Sequence, residues 1–443
     1  MIDAHEGRGV MTTDIPNAFI QAPMPERDEM VIMKITGKLV DILVNMHPEE
    51  YEEYVVYEKG KKVLYVEILQ AMYGMLEAAL LWYNEFRKDL EEEGFDFNPY
   101  DPCVANKTVD EDQFTIRFHV DDLMSSHIKP AVNTEFLKFL NSKYGKHTEV
   151  KSTRGNKHEY LGMTLVFEHG KLIVDMVEYV ASMLEEFPTK FKENEKVANP
   201  ATADMFESEE ERYLDTEQRE LFHRTTAKAL FLCKRARPDI QPIVSVLCTR
   251  VKKPTEKDFG KLIRMMKFLH STRNDVLVLS AENGISTIEW HIDASFAVHP
   301  DFRSHTGAAM KFAGGKGCPI SNSAKQKLNT NSSTTSELVA VDQTLPLALW
   351  VPLFLTAQGH KIIENIVYQD NQSAILLENN GKKSSGKRTR ALNIRYFMIT
   401  DQVKKGHLII KYCPTDDMVG DFMTKGLQGM KFSKFRDIIM GRE

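Results

Sequence analysis

Residues 114–122 read Phe-Thr-Ile-Arg-Phe-His-Val-Asp-Asp, a stretch that predicts a β-strand followed by two carboxylates. Apolar side chains alternate from Phe114 to Val120, as is typical of a half-buried strand. Asp121 and Asp122 precede a second short apolar run, so we expect both to lie in a hairpin turn. Two adjacent anions there are costly without a cation, although an Asp-Asp pair alone is more often ordinary turn chemistry. The stretch therefore raises the hypothesis of a metal site at one end of a sheet.

The regions around this stretch predict a mixture of helices and strands. A helical pattern at 80–90 precedes the strand, and residues 217–270 read mostly as helices interrupted near Pro238 and Pro254. Beyond them come an alternating strand at 288–292, a long helix after Ser333, and strands at 362–368 and 408–412. This intermingling predicts an α+β or α/β fold with several domains.

Length and composition favour about three folded domains. The chain has 443 residues, with 42% hydrophobic and 27% charged, which argues against a disordered, collagenous or membrane class. The seams at 190–211 and 280–286 are polar or turn-like, so we predict domains at 1–189, 190–283 and 284–443.

The most apolar stretch, residues 344–357, contains two prolines and is shorter than the roughly 20 residues that a membrane span needs. We therefore expect a buried helix and no membrane partner. The first ten residues lack the apolar core of a secretory signal, which predicts a cytoplasmic location. The five cysteines are scattered without a Cys-X-X-Cys pair, so no zinc site is expected.

A net charge of −6 requires that any contact with nucleic acid be local and basic. Residues 381–390 supply one candidate, since they include Lys387, Arg388 and Arg390 and no acidic residue. A solvated loop is an equally good interpretation of this segment.

A second set of acids lies in the last region. We expect Asp293 at the end of the strand 288–292, Glu337 at a helix start, Asp370 at the end of the strand 362–368, and Asp421 in a late helix. Two metal ions about 3.5–4 Å apart can clamp the oxygens of a phosphoryl transfer, and such sites need clustered carboxylates. Glu337 could instead complete a capping box with Thr334.

Four blocks in the first region carry a resemblance. Residues 14–19 (Asp-Ile-Pro-Asn-Ala-Phe) resemble motif A of reverse transcriptases, and 119–122 (His-Val-Asp-Asp) resemble their Tyr-X-Asp-Asp motif C. Residues 71–75 (Ala-Met-Tyr-Gly-Met) with 81–83 (Leu-Trp-Tyr) are similar to the copia-type block Ala-Leu-Tyr-Gly-Leu … Ala-Trp-Tyr. Residues 160–163 (Tyr-Leu-Gly-Met) match the later primer-grip block. The first region thus resembles the reverse transcriptase of copia-type retrotransposons.

That resemblance implies a polymerase palm in which Asp14, Asp121 and Asp122 hold two Mg²⁺ ions, with Mn²⁺ as a possible substitute. It implies that Phe19 screens the 2′-hydroxyl of the incoming nucleotide. The other substrate contacts that we predict are Tyr73, Gly74, His119, Leu161 and Gly162, together with the three basic residues of 381–390.

The match has departures that bear on polymerase activity. His119 stands where motif C usually has Tyr, and Met75-Leu76-Glu77 replaces the usual Leu-Lys-Gln, exchanging a cation for an anion. Relatives carry basic residues that grip the triphosphate upstream of motif A, whereas 13 residues precede Asp14 here. The sequence therefore predicts a truncated and weak polymerase.

Four further blocks resemble the ribonuclease H of the same elements. They are residues 291–295 (His-Ile-Asp-Ala-Ser), 332–341 (Ser-Ser-Thr-Thr-Ser-Glu-Leu-Val-Ala-Val), 368–374 (Tyr-Gln-Asp-Asn-Gln-Ser-Ala) and 419–425 (Val-Gly-Asp-Phe-Met-Thr-Lys). The resemblance implies that Asp293, Glu337, Asp370 and Asp421 ligate two Mg²⁺ ions that activate water against RNA. Ala391 departs from the usual His.

Residues 237–240 (Arg-Pro-Asp-Ile) are similar to the copia-type connection between the two activities, so the resemblance spans roughly residues 11–428. It implies a palm, a helical thumb or connection at 190–283, and a ribonuclease H-like domain that we expect to work alone. The implied partners are an RNA template, a DNA primer, deoxynucleoside triphosphates and an RNA–DNA hybrid, inside a virus-like particle if the parent element is active. The alternatives are a polymerase-dead relic that still cuts RNA, and a hybrid binder without catalysis.

Overall fold

The computed structural model describes residues 1–27, 30–208, 212–381 and 393–442. The fold is mixed α and β, as the sequence predicts. The strands within the described residues, in chain order, are β1 Gly9–Asp14, β2 Ile32–Thr36, β3 Val56–Glu58, β4 Lys61–Glu67, β5 Asp96–Asn98, β6 Asp101–Val109, β7 Asp112–His119, β8 Asp122–His127, β9 Lys151–Arg154, β10 Lys157–Tyr160, β11 Met163–Glu168, β12 Lys171–Asp175, β13 Leu277–Ser280, β14 Thr287–Ser295, β15 His305–Phe312, β16 Ile320–Lys325, β17 Glu364–Gln369 and β18 Ile409–Tyr412.

The α-helices in the same parts of the chain are α1 Ile2–His5, α2 Ala18–Gln21, α3 Lys38–Met46, α4 Pro48–Tyr51, α5 Ala78–Glu92, α6 Pro130–Tyr144, α7 Val177–Glu186, α8 Thr216–Cys233, α9 Gln241–Cys248, α10 Glu256–Ser271, α11 Ser333–Ala357, α12 Gln372–Asn380, α13 Asn393–Lys404, α14 Asp421–Thr424 and α15 Gly429–Met440. The strands form four sheets. The helices of 216–271 break at the two predicted prolines, because proline cannot donate the next helical hydrogen bond.

A six-stranded antiparallel sheet in the order β5-β6-β7-β8-β1-β9 forms the first layer. Helix α5 repeats apolar residues at Ala78, Trp82, Phe86 and Leu90, so one of its faces packs with α6 and the sheet in one core. A smaller sheet, β2-β4-β3, belongs to the same half of the chain.

The hairpin between β7 and β8 corrects one sequence expectation. His119 pairs with Asp122, so the loop contains only Val120 and Asp121. Asp121 lies in the turn as predicted, whereas Asp122 is the first residue of β8. A two-residue loop is the commonest way to join antiparallel strands. Because Val120 takes one of its two positions, only one of the two aspartates can lie in the loop.

A four-stranded sheet, β10-β11-β12-β13, packs with α7 to α10 around a second core. Its strands come from both sides of residue 189, because Val174 of β12 pairs with Leu277 of β13. The same core buries Phe432, Phe435 and Ile439 of the carboxy-terminal helix α15. The predicted domain limits remain predictions, but this shared core argues against a region 284–443 that folds alone.

A buried charge cluster ties α15 to the helical layer. Both oxygens of Asp239 accept from Arg237, each at 2.9 Å, and Oδ2 also accepts from Arg436 Nε at 2.9 Å. Asp239 is fully buried. Burial alone would raise the pKa of this carboxyl, but the two guanidinium groups outweigh it and lower the pKa to about 2. The Arg-Pro-Asp-Ile block thus joins the helical layer to α15 through the buried ion pairs of Asp239 with Arg237 and Arg436, which we call the clamp.

The last layer is a five-stranded mixed sheet in the order β16-β15-β14-β17-β18. The pairs β14–β17 and β17–β18 are parallel, and the other two are antiparallel. Helix α11 packs on β14 and β15. Within the described residues α11 alone has the length and apolarity to cross a membrane, and half of its most apolar window is buried in the protein.

Candidate active sites

Three acids of the last layer meet at one end of the mixed sheet. Asp293 lies inside β14, rather than at its end as the sequence predicts, because that strand runs on to Ser295. The parallel register pairs His291 with Tyr368, and two residues farther along both strands it sets Asp293 beside Asp370. Glu337 comes from α11, and one oxygen of each acid lies within 4.8 Å of the others. We call these three residues the acid triad.

Burial makes the triad electrostatically costly. Asp293 is 2% exposed and Glu337 is 5% exposed. Burial raises the pKa of Asp293 to about 6, with Lys425 opposing the rise and Asp421 adding to it. Burial also raises the pKa of Glu337 well above its usual range, and Asp293 and Asp370 add to the rise. Lys425 opposes the rise in pKa at both acids.

Glu337 is free to face the site because it does not cap its helix. The side chain of Ser332 caps α11 by accepting from the backbone N–H of Thr335 at 3.2 Å. The predicted capping box between Thr334 and Glu337 is therefore wrong, since the helix begins two residues before that box requires. Among the described residues Glu337 Oε2 has no hydrogen-bond partner. A buried carboxylate oxygen without a partner is available as a ligand for a cation.

Asp421, the fourth predicted acid, is paired with lysines. Its Oδ1 lies 2.5 Å from Lys425 Nζ, and its Oδ2 lies 2.7 Å from Lys431 Nζ. Asp421 is buried at the start of α14, whereas the nearby Asp417 is exposed and pairs with Lys434. In the sequence, the only indication of these contacts was Lys425, the last residue of the block 419–425.

A second group of acids lies on the six-stranded sheet. Asp14 of β1 is directly opposite Asp122 of β8. The backbone carbonyl of the turn residue Asp121 accepts a hydrogen bond from the backbone N–H of Ile15 at 3.3 Å. Burial raises the pKa of Asp122, with Asp121 and Asp14 adding to the rise. Within the part of the chain that the structure describes, only the acid triad brings three ligand atoms within 4.8 Å of one another. Asp14, Asp121 and Asp122 are neighbours, but they are more exposed to solvent than the buried acids of the triad.

A cleft of about 530 Å³ lies beside them and is lined by Asp121, Asp122, Phe19, Tyr73 and His119, with other residues. The rings of Phe19 and Tyr73 are 6.0 Å apart between centroids, and Tyr73 is 92% exposed. Gly74 follows with a φ of 99°, a conformation that other residues rarely adopt. The cleft thus gathers aromatic faces next to two carboxylates.

The turn at 119–122 has a strained backbone, and a hydrogen bond from helix α5 fixes its position. Val120 has a φ of 61°, which is an outlier for a β-branched residue. The buried indole of Trp82 donates to the Val120 carbonyl at 2.6 Å, so α5 fixes the turn that carries Asp121. The sequence contained Trp82 in a block but did not reveal this contact.

The other predicted contacts lie elsewhere. Leu161 and Gly162 form the two-residue turn between β10 and β11, both with positive φ, and neither lines the cleft. A Cβ on Gly162 would lie 3.3 Å from the ring of Phe231, a tight contact that the ring would have to relieve by shifting. Glu77 accepts from Arg27 Nη2 at 2.6 Å, so a cation balances the unusual anion.

The basic residues Lys387, Arg388 and Arg390 lie outside the described residues, as does Ala391.

No protein-family model matches the chain. Among curated proteins, it is 25% identical over 91% of its length to the "Retrovirus-related Pol polyprotein from transposon TNT 1-94" of Nicotiana tabacum. It is 26% identical over 95% of its length to that of transposon RE1 of Arabidopsis thaliana. It is 22% identical over 82% to the Ty1-DR5 Gag-Pol polyprotein of Saccharomyces cerevisiae. The chain spans 30%, 27% and 21% of these three polyproteins.

Proposed function

Because this chain is a homologue of the Pol polyproteins of copia-type retrotransposons, we propose that its region 284–443 is a ribonuclease H-like nuclease. It would cut the RNA strand of an RNA–DNA hybrid with the help of two Mg²⁺ ions. The observation that carries this proposal is the acid triad, whose three carboxylates converge from β14, α11 and the end of β17. The mixed sheet with α11 packed on it supports the same architecture.

The chemistry of the triad fits the proposed ions. Mg²⁺ prefers hard oxygen donors, and the three carboxylates of the triad are such donors. Glu337 and Asp293 are nearly inaccessible to water, so a divalent ion would remove a repulsion that the fold otherwise has to absorb. When bound, a pair of ions neutralises phosphate charge and activates water for hydrolysis. Asp293 is central in this arrangement because it lies near Asp370, Glu337 and Lys425.

Cleavage of a labelled hybrid by the full chain tests the nuclease. Asp370→Asn should lower the rate by about a hundred-fold or more, in the range known for losing a group that acts on the transition state. Asp417→Asn is the matched control, since Asp417 is exposed and outside the triad. A wild-type chain that is folded by circular dichroism and leaves the hybrid uncut in both Mg²⁺ and Mn²⁺ would refute the assignment. Hybrid binding without cleavage would favour the pure binder.

The second candidate activity is RNA-templated DNA synthesis, in which 1–189 forms the palm and 190–283 the thumb or connection. Its support is the direct pairing of Asp14 with Asp122 beside a cleft that also holds Asp121 and two aromatic rings. Phe19 would screen the sugar of an incoming nucleotide, and Asp14, Asp121 and Asp122 would hold Mg²⁺.

Primer extension on an RNA template tests this activity. Asp121→Asn should abolish synthesis, whereas Asp110→Asn should not, because Asp110 occupies another turn and pairs with Lys129. Hybrid cleavage with no synthesis by the wild-type chain would favour the polymerase-dead relic.

A further inference from the structure

The ammonium group of Lys425 lies between two acids that belong to the proposed nuclease site. Lys425 Nζ is 2.5 Å from Asp421 Oδ1 and 3.5 Å from Asp293 Oδ2. Both carboxylates are buried, with exposures of 1% and 2%. The lysine therefore supplies positive charge to two anions where a second divalent ion would lie.

We propose that Lys425 holds the place of the second cation, so that the site takes up one divalent ion readily and a second only when Lys425 leaves Asp421. This inference rests on the proposed nuclease function. It makes Lys425 a positioning residue that sets the order and the strength of metal binding.

The contrast between the two halves of the site supports this order. In the acid triad, Glu337 Oε2 has no hydrogen-bond partner among the described residues. The ion pairs of those residues also place no lysine between the carboxylates of Glu337 and Asp370. At Asp421 each oxygen already has an ammonium partner, Lys425 on one side and Lys431 on the other. An ion that binds Glu337 Oε2 breaks no hydrogen bond at that oxygen, whereas an ion at Asp421 must displace at least one lysine.

Lys425 is placed to make that movement. It follows α14 directly, and its side chain is 40% exposed, so the ammonium group can turn to solvent by rotation of its own flexible stem. Lys431 is tethered more firmly, since its ammonium also donates to the backbone carbonyl of Thr415 at 3.0 Å. Lys425 is therefore the residue whose removal should open the second position.

Titration of the full chain with Mn²⁺, followed by calorimetry and by the electron paramagnetic resonance of free Mn²⁺, tests the inference. After subtraction of any binding that Asp121→Asn abolishes at the acids of the six-stranded sheet, the wild type should show one tighter and one weaker binding event, and Asp370→Asn should remove the tighter one. Lys425→Met should strengthen the weaker event by about ten-fold or more, the low end of what residues beside a metal site do to affinity. Lys434→Met is the matched control and should change neither event, because Lys434 pairs with Asp417.

Lys431→Met gives a second measurement if the loss of Lys425 prevents folding, and it should strengthen the weaker event several-fold. A weaker event that neither lysine variant alters would overturn the inference while leaving the triad and the nuclease intact. Two equal, tight events in the wild type would do the same. If the folded wild type binds no Mn²⁺ at all, the metal site is refuted, and with it the proposed function.

Discussion

Replacing Asp239 with asparagine should cost the full chain about 3–5 kcal/mol of unfolding free energy, the range for removing one partner of a buried ion pair. The asparagine keeps the size of the side chain but removes the charge that both guanidinium groups of Arg237 and Arg436 contact. Arg436 keeps Asp275, whereas Arg237 keeps only the carbonyl and hydroxyl oxygens of Thr272. The clamp between the helical layer and α15 should therefore loosen.

The pKa of Asp239 gives an independent magnitude. It falls from 3.8 to about 2 in the folded chain. About two pKa units at roughly 1.4 kcal/mol each correspond to about 2.5 kcal/mol of stability at neutral pH. Because the folded pKa is depressed, this contribution is complete above pH 3.8 and is lost as the pH falls toward 2. The difference between the wild type and Asp239→Asn should shrink over that interval.

Urea unfolding followed by tryptophan fluorescence measures this difference. Trp82 and Trp290 are buried in the six-stranded and five-stranded layers, so both layers contribute to the signal. Glu193→Gln serves as the control, since its pair with Arg273 is exposed and its loss should leave the unfolding transition unchanged. An Asp239→Asn chain within about 1 kcal/mol of the wild type would refute the clamp.

Three further predictions concern the polymerase turn, acid stability and salt. Trp82→Phe should reduce primer extension several-fold with little loss of hybrid cleavage, because it removes the indole that holds the Val120 carbonyl; equal loss of both activities would point to general unfolding. Burial lowers the pKa of His299 to about 4 and of His305 to about 3, so the unfolded chain takes up their protons first. Their stability contribution should be complete above about pH 6.5 and fall as the pH drops toward 4, and His305→Gln should flatten that part of a melting-temperature profile. Hybrid affinity should fall as salt rises, and neutral substitutions of the basic residues within 381–390 should reduce that slope; an unchanged slope would favour a solvated loop.

The local elements of this protein follow from the sequence alone. The helical pattern at 80–90 predicts α5, and the alternation after Phe114 predicts β7, because each period matches one backbone geometry. The prolines at 238 and 254 predict the breaks in the helical layer for the same local reason. The resemblance to copia-type elements, read from short blocks, is likewise present in the linear sequence and is confirmed by the relatives.

The sequence was less informative wherever a contact joins distant parts of the chain. It named Asp293, Glu337, Asp370 and Asp421 as candidates for one site without showing which of them meet, because a linear pattern carries no distance between residues that lie up to 128 positions apart. Strand pairing and the packing of α11 decided that three of them converge, and the position of α14 decided that Asp421 meets two lysines instead.

The clearest case is the boundary at 284. A turn-like sequence at 280–286 predicts a boundary, and nothing in that stretch indicates that α15 packs in the core of the helical layer and places Arg436 on Asp239. Local turn chemistry is encoded by a few adjacent residues, whereas the partner of a buried surface depends on how every layer stacks. The sequence by itself therefore determined the elements, the resemblance to copia-type Pol polyproteins and the candidate acids, and only the tertiary structure decided which of those acids share a site and which layers share a core.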